Sequence, residues 1–70
     1  MPPPTARQLQ VIAAVIATGS QKAAAASLGI TEHAIHGDLE RLRLRLGDVT
    51  MSQAIYILTA RGLLVVTLAA

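Results

Sequence analysis

No cysteine occurs anywhere in the 70 residues, and in a chain this short that absence closes most routes to a stable fold. A domain of this size buries only about 60% of the surface its unfolded chain exposes. Small domains commonly compensate with disulfides or a cysteine-based zinc site, and neither is open here. What remains is one tightly packed helical unit, or such a unit completed by a second copy. The side chains agree with that. The chain is 53% hydrophobic with a single aromatic residue, Tyr56. So apolar a sequence does not fit disorder. Its abundance of Ala and Leu, without Phe or Trp, favours helices over a β-sandwich.

Charge and hydropathy narrow the function classes. Six Lys and Arg stand against four Asp and Glu, a formal net charge of +2. That permits binding to nucleic acid without demanding it. Met1-Pro2-Pro3-Pro4 has neither the basic start nor the apolar run of a secretory signal. The most apolar stretch, Ala54 to Ala70, is interrupted by Arg61 and Gly62, so no run of about 20 apolar residues exists to span a bilayer. The expectation is a cytoplasmic protein with no membrane partner.

Punctuation along the chain marks four helices. Pro2 to Pro4 read as an extended lead over residues 1–4. Thr5 is an N-cap with Gln8 as its capping-box partner. Leu9, Ile12, Ala13 and Ile16 follow at helical spacing, beside Val11 and Val15. The first helix is expected over about 5–17, stopped by Gly19. Ser20 caps a second helix over about 20–28. Its run Ala23–Ala26 suits a close crossing by another helix, and Gly29 ends it. Thr31 caps a third helix over about 31–46. Ile35, Leu39, Leu42 and Leu46 form its buried stripe. His33, His36, Gly37 and Glu40 lie on the opposite side, with Leu44 beyond them. Asp38, Arg41 and Arg45 take one flank and Arg43 the other. Thr50, with Gln53, caps a fourth helix over about 50–61 that is apolar nearly all round. Residues 65–70 read as a short apolar tail, helix or strand.

A short helix, the turn Leu28-Gly29-Ile30-Thr31 and a longer helix make a helix-turn-helix. Gly29 supplies a left-handed residue, Ile30 anchors the turn to the core, and Thr31 caps the following helix. The outward residues of that helix can then reach base edges in a DNA major groove.

With these residues in place, Thr5 to Leu64 resembles the LuxR-type, or GerE-like, DNA-binding domain. Thr5, Arg7 and Val11 match its Thr-x-Arg-Glu opening, and Ser20 sits where the family caps its second helix. Leu46-Gly47, Gln53-Ala54-Ile55 and Gly62-Leu63-Leu64 resemble its ending. LysR-type helix-turn-helix domains are a second resemblance of the same functional class. They share Gly19-Ser20, Ala24-Ala25, Leu28 and Leu46-Gly47. The resemblance implies an all-α, four-helix domain at residues 5–64. It would act as a stand-alone transcriptional regulator on double-stranded DNA, as a homodimer. His33, His36, Gly37 and Glu40 would face bases, and Lys22, Arg41 and Arg45 would meet phosphates. Tyr56, Ile57, Ala60 and Leu64 would form the dimer interface.

Several contact positions depart from the LuxR-type pattern. His36 stands where that family has a Lys. Asp38 stands near phosphate and would repel it unless Arg41 or Arg45 neutralises it; on that reading Asp38→Lys should strengthen DNA binding. Glu40 could accept from cytosine N4 but adds negative charge, and Leu44 occupies a commonly basic position. These departures leave an alternative: the same scaffold used as a protein-interaction module that pairs with a partner protein without touching DNA. His33, His36 and Glu40 share a helix face, but solvated polar residues explain them better than a metal does. Ser20, Ser27 and Ser52 lie at or near helix ends without a base to activate them. Neither an enzyme nor a cofactor is expected.

Overall fold

A computed structural model of the chain describes residues 3–65. It contains helices α1 (Ala6–Thr18), α2 (Gln21–Leu28), α3 (Glu32–Arg45) and α4 (Met51–Ala60), and no strand among the described residues. The all-α, four-helix expectation therefore holds. No single described helix is long and apolar enough to cross a membrane. Of the expected tail, residues 66–70 lie outside the described residues, as do Met1 and Pro2 of the lead.

The helix starts follow from local chemistry. Thr5, Ser20, Thr31 and Thr50 all have extended backbone, and each side-chain oxygen accepts from the backbone N–H three residues on, at 3.0–3.1 Å. Gln8 and Gln53 return the bond to the N–H of their own caps at 3.0 and 2.9 Å, completing two capping boxes. Each cap satisfies a donor the helix itself cannot. Such a cap contributes about 1 kcal/mol, a useful fraction of a small domain's total stability.

The helix ends decide where the chain goes next. After α2, Gly29 adopts φ 69°, and Ile30 N–H donates back to the Ala25 carbonyl at 3.0 Å. This six-to-one bond reverses the chain within two residues and drops Ile30 onto the core. After α4, Gly62 does the same at φ 71°, with Leu63 N–H donating to the Leu58 carbonyl at 2.9 Å.

The core sits between α1, α2 and α3, centred on α3. Ile35, Leu39 and Leu42 are buried there against Val11 and Ile12 of α1 and Ala24 and Ala25 of α2. Leu46, expected on the same stripe, is half-buried at its end. Ala24 and Ala25 are the small residues that let neighbouring helices approach closely. The buried stripe of α1 differs from the expected one. It runs through Gln8, Val11 and Ile12, whereas Ala13 is exposed and Leu9 and Ile16 are half-buried. A glutamine can open an apolar stripe because the capping box occupies its polar end. The α4 backbone approaches α3 only, not α1 or α2. Ala54 and Leu58 hold it there, both fully buried.

Thr31→Ala removes the cap at the start of α3 and should lower unfolding free energy by about 1 kcal/mol. Leu42→Ala should cost about 2–5 kcal/mol. Urea denaturation followed by circular dichroism checks both; equal midpoints for the two variants would contradict this assignment of core and cap.

Candidate nucleic-acid interface

The outward side of α3 is the candidate reading surface. His33 and His36 are exposed in its first two turns, and Gly37 is half-buried. What covers Gly37 is the Arg41 guanidinium: a Cβ built on Gly37 would lie 3.4 Å from Arg41 Nη1. Glu40 is half-buried and accepts from Arg43 Nη1 at 2.6 Å, an ion pair one helical turn long. Arg43 is further fixed by donating from Nε to the Val49 carbonyl at 2.7 Å, tying α3 to the loop before α4. Leu44 ends the face, 58% exposed.

Asp38 departs most from the sequence reading. It does not face solvent. It is 5% exposed, turned toward α1. Its Oδ2 accepts from Arg7 Nε at 2.9 Å and its Oδ1 from Arg41 Nη2 at 2.6 Å. Burial works to raise the Asp38 carboxyl. The hydrogen bonds from Arg7 and Arg41, and their charges, outweigh it and hold the group below the usual carboxylate value. The acid feared as a repellent is thus a cross-link between α1 and α3, and its charge is more than matched. Asp38→Lys would place a third cation, nearly buried, against Arg7 and Arg41. It is a fold-breaking change rather than one that strengthens DNA binding.

The expected phosphate contacts are placed differently from one another. Lys22, second residue of α2, is exposed and has no ion-pair partner among the described residues. Arg41 holds Asp38 with one nitrogen while its side chain remains 63% exposed. Arg45 is half-buried and donates from Nη1 to the Pro3 carbonyl at 2.9 Å, which straps the lead to the end of α3. Arg7, which the sequence reading left without a contact role, belongs with this group. Its only sequence signal was the match to an arginine in the family opening.

Along α4, Tyr56 is 75% exposed. Ala60 is exposed and Ile57 half-buried. Val49, Ser52, Gln53, Tyr56 and Ile57 line an open groove. Leu64, expected on the same exposed face, is corrected: it is 6% exposed and part of the core. The reason is the turn at Gly62, which ends α4 after Ala60 and swings Leu64 back inward instead of continuing the helical face. No described group of three or more His, Asp or Glu could hold a metal ion.

A capped short helix, a glycine turn and a longer helix with an outward face define the class: a helix-turn-helix domain. Comparison with protein families then places the chain. Residues 6–63 match the model described as the bacterial regulatory helix-turn-helix protein, lysR family, and the chain belongs to that family. No curated protein and no solved structure gives a significant match. The second of the two resemblances is therefore the supported one, and the LuxR-type reading is not. Its most specific-looking matches prove to be general structural parts: Gln53 completes a capping box, Ala54 is buried, and Gly62 makes a chain reversal. Residues required by packing and termination recur in unrelated helical units. Family membership makes this a DNA-binding transcription-regulator fold and does not favour a module that only binds protein.

Because the Asp38 pKa is lowered on folding, the carboxylate stabilises the fold above the unfolded value of about 3.9. That contribution is lost as pH falls through the lower folded value. Urea midpoints should fall on acidification below about pH 4. Asp38→Asn should start lower at pH 7 and fall less steeply. Parallel curves for the two proteins would remove Asp38 from the acid response.

Proposed function

We propose that residues 5–64 act as a DNA-reading unit that regulates transcription as a homodimer, with α3 in the major groove. The observation that carries this reading is the charge state of the α3 face. Both acids in its middle turns are neutralised internally, Asp38 by two arginines and Glu40 by Arg43. His33 and His36 are exposed and form no ion pair among the described residues, and Gly37 lies between them and Arg41. A helix face of small and polar side chains, with its negative charge cancelled, can approach a polyanion. His33 and His36 would meet base edges. Glu40, still held by Arg43 through Oε1, would accept from cytosine N4 with Oε2. Lys22 would meet a phosphate at the start of α2, where backbone N–H groups also point outward. Arg41 and Arg45 would contact phosphates along the flank of α3.

Gly37 supports the same reading. A glycine in a helix interior costs about 1 kcal/mol relative to alanine, and the space at Gly37 would accept a methyl group in ordinary contact with Arg41. Keeping the weaker helix former there fits a close approach of DNA. For the dimer, α4 lies outboard of the three-helix core and presents Tyr56, Ile57 and Ala60. Pairing two copies there would set two α3 helices on a two-fold symmetric site.

The test is fluorescence anisotropy against a labelled pool of random-sequence duplexes at low and then moderate salt, with recovery of what binds. Binding that enriches a palindrome is expected. The salt slope should be shallow, about one unit for each phosphate contact. Gly37→Ala should raise the unfolding midpoint yet weaken DNA binding. A folded protein that binds no duplex at low salt would overturn the reading. Ile57→Arg should halve the mass measured by light scattering while leaving helicity intact; an unchanged dimer mass would exclude α4 from the interface.

A further inference from the structure

Arg7 and Arg41 come from helices far apart in sequence and meet on opposite oxygens of one carboxylate. Arg7 uses its Nε and Arg41 its Nη2, at 2.9 and 2.6 Å. The carboxylate is nearly enclosed, its side chain 7% exposed, while the two arginine side chains are 56% and 63% exposed. Two guanidinium groups so close repel each other, and Asp38 cancels only one of their two charges. A guanidinium carries five N–H donors. Both Nη groups of Arg7 remain unused, as do Nε and Nη1 of Arg41, in no hydrogen bond among the described residues. The cluster therefore has a net charge of +1, spare donors and solvent access, a combination completed by a second anion whose paired oxygens meet the planar guanidinium forks. Its position is also informative. The Arg41 guanidinium lies against Gly37 at the border of the outward face of α3. A residue bordering a groove-bound helix meets the backbone that walls the groove.

We propose that Arg7 and Arg41 form a two-arginine clamp for one backbone phosphate of the bound DNA, with Asp38 as the positioning residue that holds them side by side. This rests on α3 reading DNA, and it adds α1 to the contact surface. It reverses the simple electrostatic expectation for Asp38. A carboxylate that merely repelled phosphate would, on removal, strengthen binding. One that aligns two arginines would, on removal, weaken it.

The experiment measures duplex affinity and salt slope for the full chain and for Arg7→Gln, Arg41→Gln, Asp38→Asn and Arg61→Gln. Glutamine keeps a hydrogen-bond donor for Asp38, and circular dichroism confirms that each variant is folded. Arg61 is exposed at the end of α4 and serves as the control for losing one positive charge. Arg7→Gln and Arg41→Gln should each weaken binding about tenfold and reduce the salt slope by about one. Asp38→Asn should weaken binding, and Arg61→Gln should leave the slope unchanged. If the full chain binds DNA and Arg7→Gln matches it in affinity and slope, the clamp is overturned while DNA reading stands. Tighter binding by Asp38→Asn would overturn the positioning role. If the full chain binds no duplex, the DNA reading fails, and the clamp is then tested with inorganic phosphate against chloride at equal ionic strength. Guanidinium NMR signals of Arg7 and Arg41 that shift in phosphate, with Arg61 still, would retain an anion clamp of another use; no shift would remove it.

Discussion

The buried stripe of α3, Ile35, Leu39 and Leu42, is the constraint around which the rest of the molecule is arranged. A chain without cysteines must draw its stability largely from burial, and each such side chain fully removed from water contributes about 1.5–3 kcal/mol. Both partner helices are shaped to meet that stripe. Helix α2 offers alanines so that the backbones can approach, and α1 offers Val11 and Ile12 to fill what remains. Once α3 is fixed on one side by this contact, its other side is necessarily the free one. The outward face of α3 is a by-product of packing before it is anything else.

The polar interactions are arranged to serve the same geometry. Every helix opens on a Ser or Thr cap, so a marginal core is not burdened with unsatisfied ends. No buried side-chain polar atom among the described residues lacks a partner. The arginine contacts do something burial cannot: the Asp38–Arg7 ion pair ties α1 to α3, and the hydrogen bond from Arg43 to the Val49 carbonyl ties α3 to the loop before α4. Such bonds add modest energy but discriminate between otherwise similar packings.

The fold was legible in the sequence wherever local chemistry decided it. Caps at Thr5, Ser20, Thr31 and Thr50, and stops at Gly19 and Gly29, follow from residue type and spacing alone. What escaped was decided by long-range geometry. Leu64 reads as another apolar position on α4 because nothing local tells how far Gly62 turns the chain. Gln8 reads only as a capping-box partner, because nothing local shows that the same residue also opens the buried stripe of α1. Asp38 lies 31 residues from its partner Arg7, and no local pattern joins them, so the acid looked like part of the contact surface. The family, too, was misread where shared residues were structural necessities. Of the site residues, the outward set His33, His36 and Gly37 needed only the helical period, whereas the roles of the arginines needed the fold.

Among the described residues, His33 and His36 form no ion pair. Side chains that hold nothing together can be exchanged without disturbing what does. The scaffold's integrity resides in the caps, the apolar stripe and the Asp38 cross-link, while its outward vocabulary is carried by residues with no architectural duty. Selection, or an engineer, can therefore change positions 33 and 36 and leave the fold untouched.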